Sequence, residues 1–597
     1  MLKMSNAKER IFQGGAFLTE DLTADDVITP EDFTEEHKMI AKTTEDFVMK
    51  EVLPKLENLE NHEFEHSVAL LKKAGEIGLL GADVPEAYGG LALDTISSSL
   101  ISEKFSRAAG FSVTHGAHVG IGSLPIVFFG DDEQKEKYLP KLATGELLAA
   151  YALTEPSSGS DALGAKATAT LNEAGTHYLL NGEKQWITNS AFADVFIVYA
   201  KIDGEHFSAF IVERDYPGVS TGPEEKKMGI KSSSTRTLVL EDAEVPVENL
   251  LGEKGRGHII AFNILNVGRY KLAIGSVGGA KLGIELSTSY VKQRKQFNQS
   301  IASFALTQHK LATMATETYA NESAVYRTVG LFEQRMSSLT DEQLRDGREI
   351  ARAIAEYQIE CSMNKVTCTE LLDYVVDEAV QLHGGYGFMQ EYEVERMYRD
   401  SRINRIFEGT NEINRLLVPG TLLKKALKGE LPLLQHAQAL EEELMMMMPE
   451  EVGEETLEQE KYLLKNAKKI VLLGAGLAAQ KYMQRLEDEQ EILVNLADMV
   501  SAVYNMESAI LRTEKAIDRL GEEKNQQKIL YTQVYVQEAF NQIEVDAKEI
   551  LIGVEEGDTL RIMLSSLRKL TRHTPINVIT KKREIAKQII EEEQYIV

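Results

Sequence analysis

The residue pattern of the chain changes near residues 150 and 255, and these two changes set the order of its structural units. Between them, segments such as THYLLNGEKQWITN, ADVFIVYAKI and TRTLVLEDAEVP are rich in Val, Ile, Phe and Tyr and are separated by turn residues, which is typical of β-strands. On either side, apolar residues recur every three or four positions, which is typical of amphipathic helices. The sequence therefore predicts an α+β protein, mostly α.

These patterns divide the chain into six segments. We expect an N-terminal arm (1–30), a helical domain (31–149), a β-barrel-like middle domain (150–255), a four-helix bundle (256–429), an acidic linker (430–459) and an additional helical domain (460–597). Long helices are predicted at 258–293, 304–336, 341–382 and 411–428.

Charge excludes some classes of partner. The chain has 597 residues with 65 basic and 93 acidic side chains, a net charge of -28, which disfavours nucleic acid and anionic membranes. Residues 461–597 hold 20 basic and 21 acidic residues, so the acidic excess lies before them. The chain shows no apolar run of membrane-spanning length and no signal-peptide core at its start. Cys361 and Cys368 lie on one face of a predicted helix, which favours two buried free cysteines over a disulfide or a metal site. We therefore expect a cytoplasmic protein.

Two motifs in the last third of the chain admit other interpretations. The run from Met445 to Met448 is followed by acidic residues, which favours an apolar segment docked on a neighbour over a membrane-inserting helix. The segment from Lys469 to Ala479 looks like a strand and a dinucleotide-binding turn. A helical pattern follows it without a second strand, so we predict a Gly/Ala-rich helix packed closely on another.

A carboxylate between apolar residues and glycine is the strongest candidate for chemistry. In Ile406-Phe407-Glu408-Gly409-Thr410, burial of Glu408 would raise its pKa and suit it to proton transfer near neutral pH. A helix-terminal Glu with a glycine cap gives the same local pattern, so neighbouring motifs have to decide.

Two motifs in the β-rich segment add to this candidate. The loop from Tyr151 to Asp161 is rich in small hydroxylated residues and glycine, whose backbone N–H groups can meet a phosphate or a polar ring edge. The only Trp of the chain, Trp186, precedes Thr188, which suits stacking on a planar ring beside a hydroxyl. The alternatives are an ordinary turn and a Trp that fills the core of the β domain.

Together these segments resemble the acyl-CoA dehydrogenase family. Its first signature resembles the stretch from Ala152 to Gly164, and its second resembles Gln381 to Gly387 with the continuation through Phe407-Glu408-Gly409-Thr410. Trp186-Ile187-Thr188-Asn189 and Arg294-Lys295-Gln296-Phe297 fall between them in family order. The resemblance covers about residues 35–420. The added helical unit resembles the very-long-chain branch in length and helicity only.

The resemblance implies FAD as cofactor and no metal. The residues implied to contact FAD, some of them through a partner subunit, are Tyr151, Leu153, Thr154, Ser160, Trp186, Ile187, Thr188, Arg294, Gln296, Gln381, Leu382, Gly384, Gly385, Thr410, Asn411 and Glu412. Those implied to contact the substrate are Ser160, Leu265, Asn266, Arg269, Phe407 and Gly409.

The implied reaction is α,β-dehydrogenation of a fatty acyl-CoA to a trans-2-enoyl-CoA in fatty acid β-oxidation. Glu408 would take the α-proton while the flavin accepts hydride from the β-carbon. In relatives that act on branched substrates the base comes from an earlier helix, and Gly268 stands at that position here. A glycine cannot act as a base, which favours Glu408 and a straight chain of medium to very long length.

The resemblance also implies partners. An electron-transferring flavoprotein would accept the electrons. A cofactor site shared by two subunits implies a homo-oligomer, and by analogy the added helical unit favours a homodimer over a tetramer. One alternative is an acyl-CoA oxidase, which passes electrons to O₂. A nucleic-acid-binding flavoprotein is disfavoured, because the C-terminal unit carries balanced charge. A third alternative is a membrane- or protein-docking module formed by residues 430–597, which is compatible with catalysis, although the sequence does not support peripheral membrane contact.

Overall fold

The protein is mostly helical, with one β unit between two helical ones, as the sequence predicts. The computed structural model describes residues 10–446 and 452–597. Part of the predicted arm, residues 1–9, lies outside the described residues, as do Met447, Met448 and Pro449 of the methionine run and its continuation.

The N-terminal segment packs against the rest of the protein. Residues 10–33 form three short 3-10 turns, and Phe12, Phe17 and Leu18 are buried in the main hydrophobic core. Seven helices follow: α1 Glu35–Phe47, α2 Leu56–Glu60, α3 Phe64–Glu76, α4 Thr95–Phe105, α5 Phe111–Gly116, α6 Leu124–Phe129 and α7 Asp132–Thr144.

The middle unit is one twisted sheet of eight strands. They are β1 Ala149–Ala152, β2 Thr168–Leu171, β3 His177–Thr188, β4 Val195–Ile202, β5 His206–Glu213, β6 Val219–Thr221, β7 Thr235–Pro246 and β8 Leu250–Leu251. Their order is β6-β7-β3-β2-β4-β5-β8, with β1 parallel to β4. No pairing among the described strands closes this sheet into a barrel, so the expected barrel-like form is an open sheet.

The bundle is built around two long helices. Its elements are α8 Gly257–Gln293, β9 Lys295–Gln296, β10 Gln299–Ser300, α9 Ala305–Ser337, α10 Asp341–Arg345, α11 Gly347–Ala355, α12 Gln358–His383, α13 Glu393–Ser401 and α14 Asn411–Leu427. The predicted helices at 258–293, 304–336 and 411–428 agree with α8, α9 and α14 to within one residue at each end.

The single helix predicted over 341–382 is wrong, because the chain breaks twice there. Asp346 adopts an extended conformation and its side chain accepts a hydrogen bond from Arg348 N, which starts α11. A Cβ at Gly347 would lie 2.5 Å from the carbonyl oxygen of Val127, so α11 begins in close contact with α6. The tertiary contact therefore overrides the helical pattern.

The additional C-terminal unit is helical, with α15 Leu433–Met446, α16 Glu458–Tyr482, α17 Gln490–Leu520, α18 Gln526–Val554, α19 Gly557–Leu570 and α20 Val578–Glu592. The segment that resembles a dinucleotide-binding turn lies inside α16, where Gly474 faces Ile550 and Leu496. This confirms the predicted Gly/Ala-rich packing helix. In the predicted linker, Leu440 and Leu444 of α15 are buried. None of the described helices is long and apolar enough to cross a membrane.

Buried ion pairs fix the C-terminal unit to the rest of the chain. Arg512 of α17 is fully buried, and its guanidinium lies 3.0 Å from a carboxylate oxygen of Glu31 and 2.8 Å from one of Glu322. Arg327 of α9 pairs with Glu507 of α17 at 2.7 Å. Since breaking one partner of a buried pair is strongly destabilising, α17 is held in one position against α9.

Candidate active site

Glu408 lies in a sharp turn directly before α14. Its φ is 56° and that of Gly409 is 80°, so two successive residues adopt the left-handed conformation. This conformation is costly for a residue with a side chain and persists where the surroundings enforce it. The residue as a whole is partly exposed, but Oε2 of its carboxylate is buried and has no hydrogen-bond partner among the described residues.

The carboxylate of Glu408 faces Gly268 of α8. A Cβ built at Gly268 would lie 2.5 Å from Oε2 of Glu408 and 2.8 Å from its Cδ. The carboxylate therefore occupies space that any other residue at position 268 would fill. In the family resemblance, position 268 is where relatives with branched substrates carry their base. Here the glycine at that position leaves room for the carboxylate of Glu408.

Two buried cations support this turn through its carbonyl oxygens. Arg269 donates from Nε to the carbonyl oxygen of Glu408 at 3.3 Å and from Nη1 to Asn266 Oδ1 at 3.1 Å. Lys365 of α12 donates from Nζ to the carbonyl oxygen of Gly409 at 2.8 Å and to Asn411 Oδ1 at 2.7 Å. Neither cation forms a hydrogen bond with the carboxylate, which therefore stays free to accept a proton.

Burial and charge act in opposite directions on the base. Burial raises the pKa of Glu408 to about 7, against the attraction of Arg269 and Lys365, which lowers it. A carboxyl group with a pKa near neutral is suited to general-base chemistry, because it is both substantially ionised and appreciably basic at physiological pH. Such shifted groups are concentrated at functional sites.

Lys365 is a site residue that the sequence interpretation missed. Its side chain is completely buried, and burial lowers its pKa to about 8. The available signal was its spacing from Cys361 and Cys368, which places it on the same buried helix face that those cysteines were predicted to occupy. A lysine on such a face needs partners, and the turn at Glu408 supplies them.

The loop between β1 and β2 is braced by a buried ion pair. Lys184 Nζ lies 2.6 Å from Glu155 Oε1, and Glu155 also accepts hydrogen bonds from the backbone N–H groups of Lys166 at 2.6 Å and Ala167 at 3.0 Å. Within this loop Leu153 is nearly buried, Thr154 is partly buried and Ser160 is exposed. The loop therefore has a fixed base and an exposed tip.

Tyr151 connects this loop with the base. Its hydroxyl group is buried without a hydrogen-bond partner among the described residues, and its ring meets that of Tyr199 edge-on at 5.4 Å. Burial raises the pKa of Tyr151 well above its usual value, and the charges of Tyr199 and Glu408 add to the rise. The sheet and the bundle thus contribute to one site, in which the charge of the Glu408 carboxylate acts on the Tyr151 hydroxyl group.

Trp186 is exposed, so the alternative in which it fills the core of the β domain is wrong. The pairing of β3 with β7 shifts register between Lys184 and Ile187, and Trp186 adopts a φ of 61° in this irregularity. Its side chain is 60% exposed as a result, whereas the side chain of Ile187 is buried in the sheet core. Thr188 is partly buried at the end of β3.

The Arg294 and Gln381 motifs lie together at one end of the bundle. The Arg294 guanidinium carbon lies 5.4 Å from the centre of the Tyr386 ring, which joins the β9–β10 hairpin to the glycine-rich turn after α12. Gln296, Gln381, Gly384 and Gly385 are exposed, and a Cβ at either glycine would meet nothing within 4 Å. Leu382 is buried, so only its backbone is available to a ligand.

The three residues at the start of α14 that were predicted to contact FAD differ in how accessible their side chains are. Thr410 caps the helix by accepting a hydrogen bond from Ile413 N at 3.2 Å, and Glu412 is exposed. Asn411 is buried, and its side chain is fully used by contacts with Lys365, Thr369 and Glu370. Its side chain therefore supports the turn, and only its backbone is available to a cofactor.

The predicted substrate residues lie in two groups. Arg269 contacts the carbonyl oxygen of Glu408, Asn266 is bonded to Arg269, and Gly409 follows Glu408 in the turn. Leu265 and Phe407 are partly buried beside them in sequence. Ser160 lies on the exposed tip of the β1–β2 loop, so its contact with substrate stays a prediction.

Comparison with known proteins gives consistent results along the chain. Family models described as the N-terminal, middle and C-terminal domains of acyl-CoA dehydrogenase match residues 34–146, 150–243 and 255–423, and a further acyl-CoA dehydrogenase C-terminal domain model matches 466–569. A probable acyl-CoA dehydrogenase of Bacillus subtilis is 71% identical over 594 residues, which is 100% of both chains.

Solved and more distant relatives agree. The crystal structure of an acyl-CoA dehydrogenase from Bacillus anthracis, complexed with FAD, is 74% identical with a TM-score of 0.98 and covers 98% of this chain and 100% of that one. The mitochondrial very long-chain specific acyl-CoA dehydrogenase of Bos taurus is 42% identical over 353 residues, which is 58% of this chain and 51% of that protein.

Proposed function

The chain belongs to the acyl-CoA dehydrogenase family, and from this membership we propose that it oxidises straight-chain fatty acyl-CoA thioesters of medium to very long chain length to trans-2-enoyl-CoA. One observation carries the proposal. Glu408 presents a buried, unpartnered carboxylate oxygen with a pKa raised to about 7, opposite a glycine that leaves space for it.

The residues present fit FAD, the cofactor of this family. The exposed ring of Trp186 offers a surface for a planar ring, and the hydroxyl group of Tyr151, which has no hydrogen-bond partner among the described residues, can bond to a polar edge of such a ring. The open positions at Gly384 and Gly385 admit a pyrophosphate, and the exposed Arg294 guanidinium suits its charge. When bound, FAD supplies the acceptor for the hydride that leaves the β-carbon of the substrate.

The chain's own residues handle the proton. Oε2 of Glu408 takes the α-proton of the thioester, because it is the buried oxygen without a partner. Arg269 and Lys365 hold the turn through its carbonyl oxygens and favour the ionised base by their positive charge. The backbone N–H of Glu408 is proposed to polarise the thioester carbonyl, which stabilises enolate-like charge as an oxyanion hole does.

The choice of a straight chain rests on position 268. Glycine there carries no base, and the space beside its Cα is filled by the Glu408 carboxylate. Glu408 therefore stands as the base in the proposal, as in the branch of the family that acts on unbranched substrates.

A homodimer is proposed because the cofactor residues at the end of the bundle lie beside exposed aromatic side chains. Phe297 in the β9–β10 hairpin is 87% exposed, and Phe388 after the glycine-rich turn is 84% exposed. Large apolar side chains clustered on a surface mark protein contacts. A second subunit on this end would cover them and bring Arg294 and Gln296 to its cofactor.

The remaining parts of the proposal follow from the family. We place the enzyme in fatty acid β-oxidation in the cytoplasm, with an electron-transferring flavoprotein as electron acceptor. Two buried free cysteines, Cys361 and Cys368, are consistent with a reducing compartment.

The proposal is tested by anaerobic titration of the FAD-loaded protein with acyl-CoAs of graded length. Loss of flavin absorbance with straight chains, strongest at the preferred length, is the expected result. Absence of bleaching with every chain would contradict the proposal. The same substrates in air, with peroxide measured, distinguish a dehydrogenase from an oxidase, which would release peroxide at each turnover.

A further inference from the structure

A continuous series of hydrogen bonds leads from the C-terminal unit to the turn that carries Glu408. On α17, Asp498 Oδ1 accepts from Arg415 Nε at 2.6 Å. Arg415 lies on α14, and its two terminal nitrogens donate to both oxygens of Glu370 on α12 at 2.6 and 2.8 Å. The arginine is thus held from both sides by carboxylates of different structural units.

The series continues from Glu370 to the turn. Asn411 Nδ2 donates to Glu370 Oε1 at 3.0 Å, while Asn411 Oδ1 accepts from Lys365 Nζ at 2.7 Å. Lys365 then donates to the carbonyl oxygen of Gly409 at 2.8 Å. Every link is a direct contact, and four of the five side chains in the series are charged.

The two side chains of the series that lie next to the base are the buried ones. The side chains of Asp498 and Glu370 are 36% and 39% exposed, that of Arg415 is 17% exposed, and Asn411 and Lys365 are buried. The outer links are therefore partly screened by water, whereas the inner ones lie where a displaced partner is costly. A change at Asp498 can be transmitted only if the contacts between these ends are rigid, and the two-pronged Arg415–Glu370 pair supplies that geometry.

We infer that Asp498 is a positioning residue for the proposed reaction, through which the additional C-terminal unit holds Lys365 and the Glu408 turn in their productive arrangement. The inference rests on the proposed function, since it assigns Glu408 as the base. It gives residues 460–597 a part in catalysis that does not require contact with substrate or cofactor. It also explains why Asn411 faces inward at the start of α14.

The direction of the expected change follows from the charges at the base. Arg269 and Lys365 are the cations whose attraction lowers the pKa of Glu408, so Arg415 affects the base through the position of Lys365. If Lys365 moves away from the turn, the pKa of Glu408 rises and less of the base is ionised at pH 7. The groups that act on Lys365 by charge are Glu408, Arg269, Glu370 and Glu412. Asp498 interacts by charge with Arg415, Glu370 and Asp546.

The test uses the FAD-loaded full-length enzyme and the variant Asp498→Asn, which keeps the side-chain shape and removes the charge. Flavin reduction by a straight-chain acyl-CoA is followed anaerobically by stopped flow from pH 6 to 9. We expect the rate at pH 7 to fall roughly three- to tenfold and the acidic limb of the pH profile to move upward. Asp498→Glu should recover most of the rate.

The matched control is Glu514→Gln on the same helix. Glu514 pairs with Lys461 at 3.2 Å inside the C-terminal unit and makes no link to the Glu408 turn. This variant removes one carboxylate charge from α17 as Asp498→Asn does, and we expect its rate and pH profile to match the wild type. Thermal unfolding of both variants measures any loss of stability separately.

A second variant tests the connection even if Asp498→Asn folds poorly. Glu370→Gln weakens the middle of the series and should shift the pH profile in the same direction. The double variant should then slow the reaction by less than the product of the two single effects, because both act on one series. Two independent, multiplying effects would overturn the inference, as would an unshifted profile in Asp498→Asn. Wild-type enzyme that is not reduced by any acyl-CoA would instead refute the proposed function.

Discussion

Replacement of Gly268 by alanine tests the geometry at the base most directly. The added Cβ would lie 2.5 Å from Glu408 Oε2, whereas ordinary contacts begin at 3.4 Å. The carboxylate must therefore retreat by about 1 Å, and a misplacement of about 1 Å at a reacting group costs on the order of 100-fold in rate. We expect Gly268→Ala to bind FAD normally and to reduce it about 100-fold more slowly with a straight-chain acyl-CoA.

The same helix offers a matched control in Gly275. A Cβ there would meet nothing within 4 Å, and the backbone has no positive φ, so alanine fits without displacing a neighbour. Since Gly to Ala inside a helix contributes about 1 kcal/mol of stability, Gly275→Ala should unfold at a slightly higher temperature and react at the wild-type rate. The comparison separates a steric effect on the base from a general effect of glycine substitution.

The assay is anaerobic stopped-flow measurement of flavin absorbance at saturating acyl-CoA, with thermal unfolding and FAD content measured on the same samples. A Gly268→Ala enzyme that reduces its flavin at the wild-type rate would refute the argument, because the carboxylate would then not depend on the space at position 268. A slow variant that has also lost FAD or stability would not count in its favour.

Three further predictions concern the base, the ring platform and the exposed aromatic surface. Glu408→Gln should keep FAD and lose turnover by on the order of 100-fold or more. In the wild type, kcat/KM should rise with pH and reach half its maximum near pH 7, because Glu408, with its pKa raised to about 7, acts only when ionised. A retained rate in the variant or a flat pH profile would place the base elsewhere. Trp186→Ala should weaken FAD binding about tenfold in fluorescence titration. The unfolding temperature of the apoprotein should change little, because the ring is 60% exposed. Trp186→Phe is the control, and an unchanged FAD affinity in Trp186→Ala would contradict stacking. Phe297→Asp should give monomers in size-exclusion chromatography and release FAD. The control Met39→Asp also replaces an exposed apolar side chain and should do neither. An oligomer that Phe297→Asp leaves intact would contradict the proposed interface.

Much of the fold could be predicted because periodicity is a local signal. The helices α8, α9 and α14 carry long apolar patterns, and their predicted ends lie within one residue of the observed ones. The break near Gly347 could not be predicted this way, because it depends on contact with Val127, more than two hundred residues earlier in the chain. Hydrophobic periodicity indicates which face of a helix is buried, but it does not indicate where a tertiary contact ends the helix.

The site shows the same division between local and distant causes. Glu408 stands out in its own sequence context, since bulky apolar residues and a glycine flank it. From the sequence, Trp186 could either stack on a planar ring or fill the core of the β domain. The register shift in β3, which the sequence does not indicate, turns its ring outward. Asp498 carries no motif, and the only sequence signal of Lys365 is its spacing from two cysteines, so the contacts of both residues could not be predicted before α12, α14 and α17 were seen to meet.

The contact between Arg512 and Glu31 has a consequence for how the protein is made. These residues are separated by 481 positions in the chain, so Glu31 cannot form this ion pair until translation has reached α17. At typical rates of synthesis the interval is roughly half a minute to a minute and a half. Phe17 also packs edge-on against Tyr504 of α17 at 4.8 Å, so the burial of its ring is completed only after the same interval.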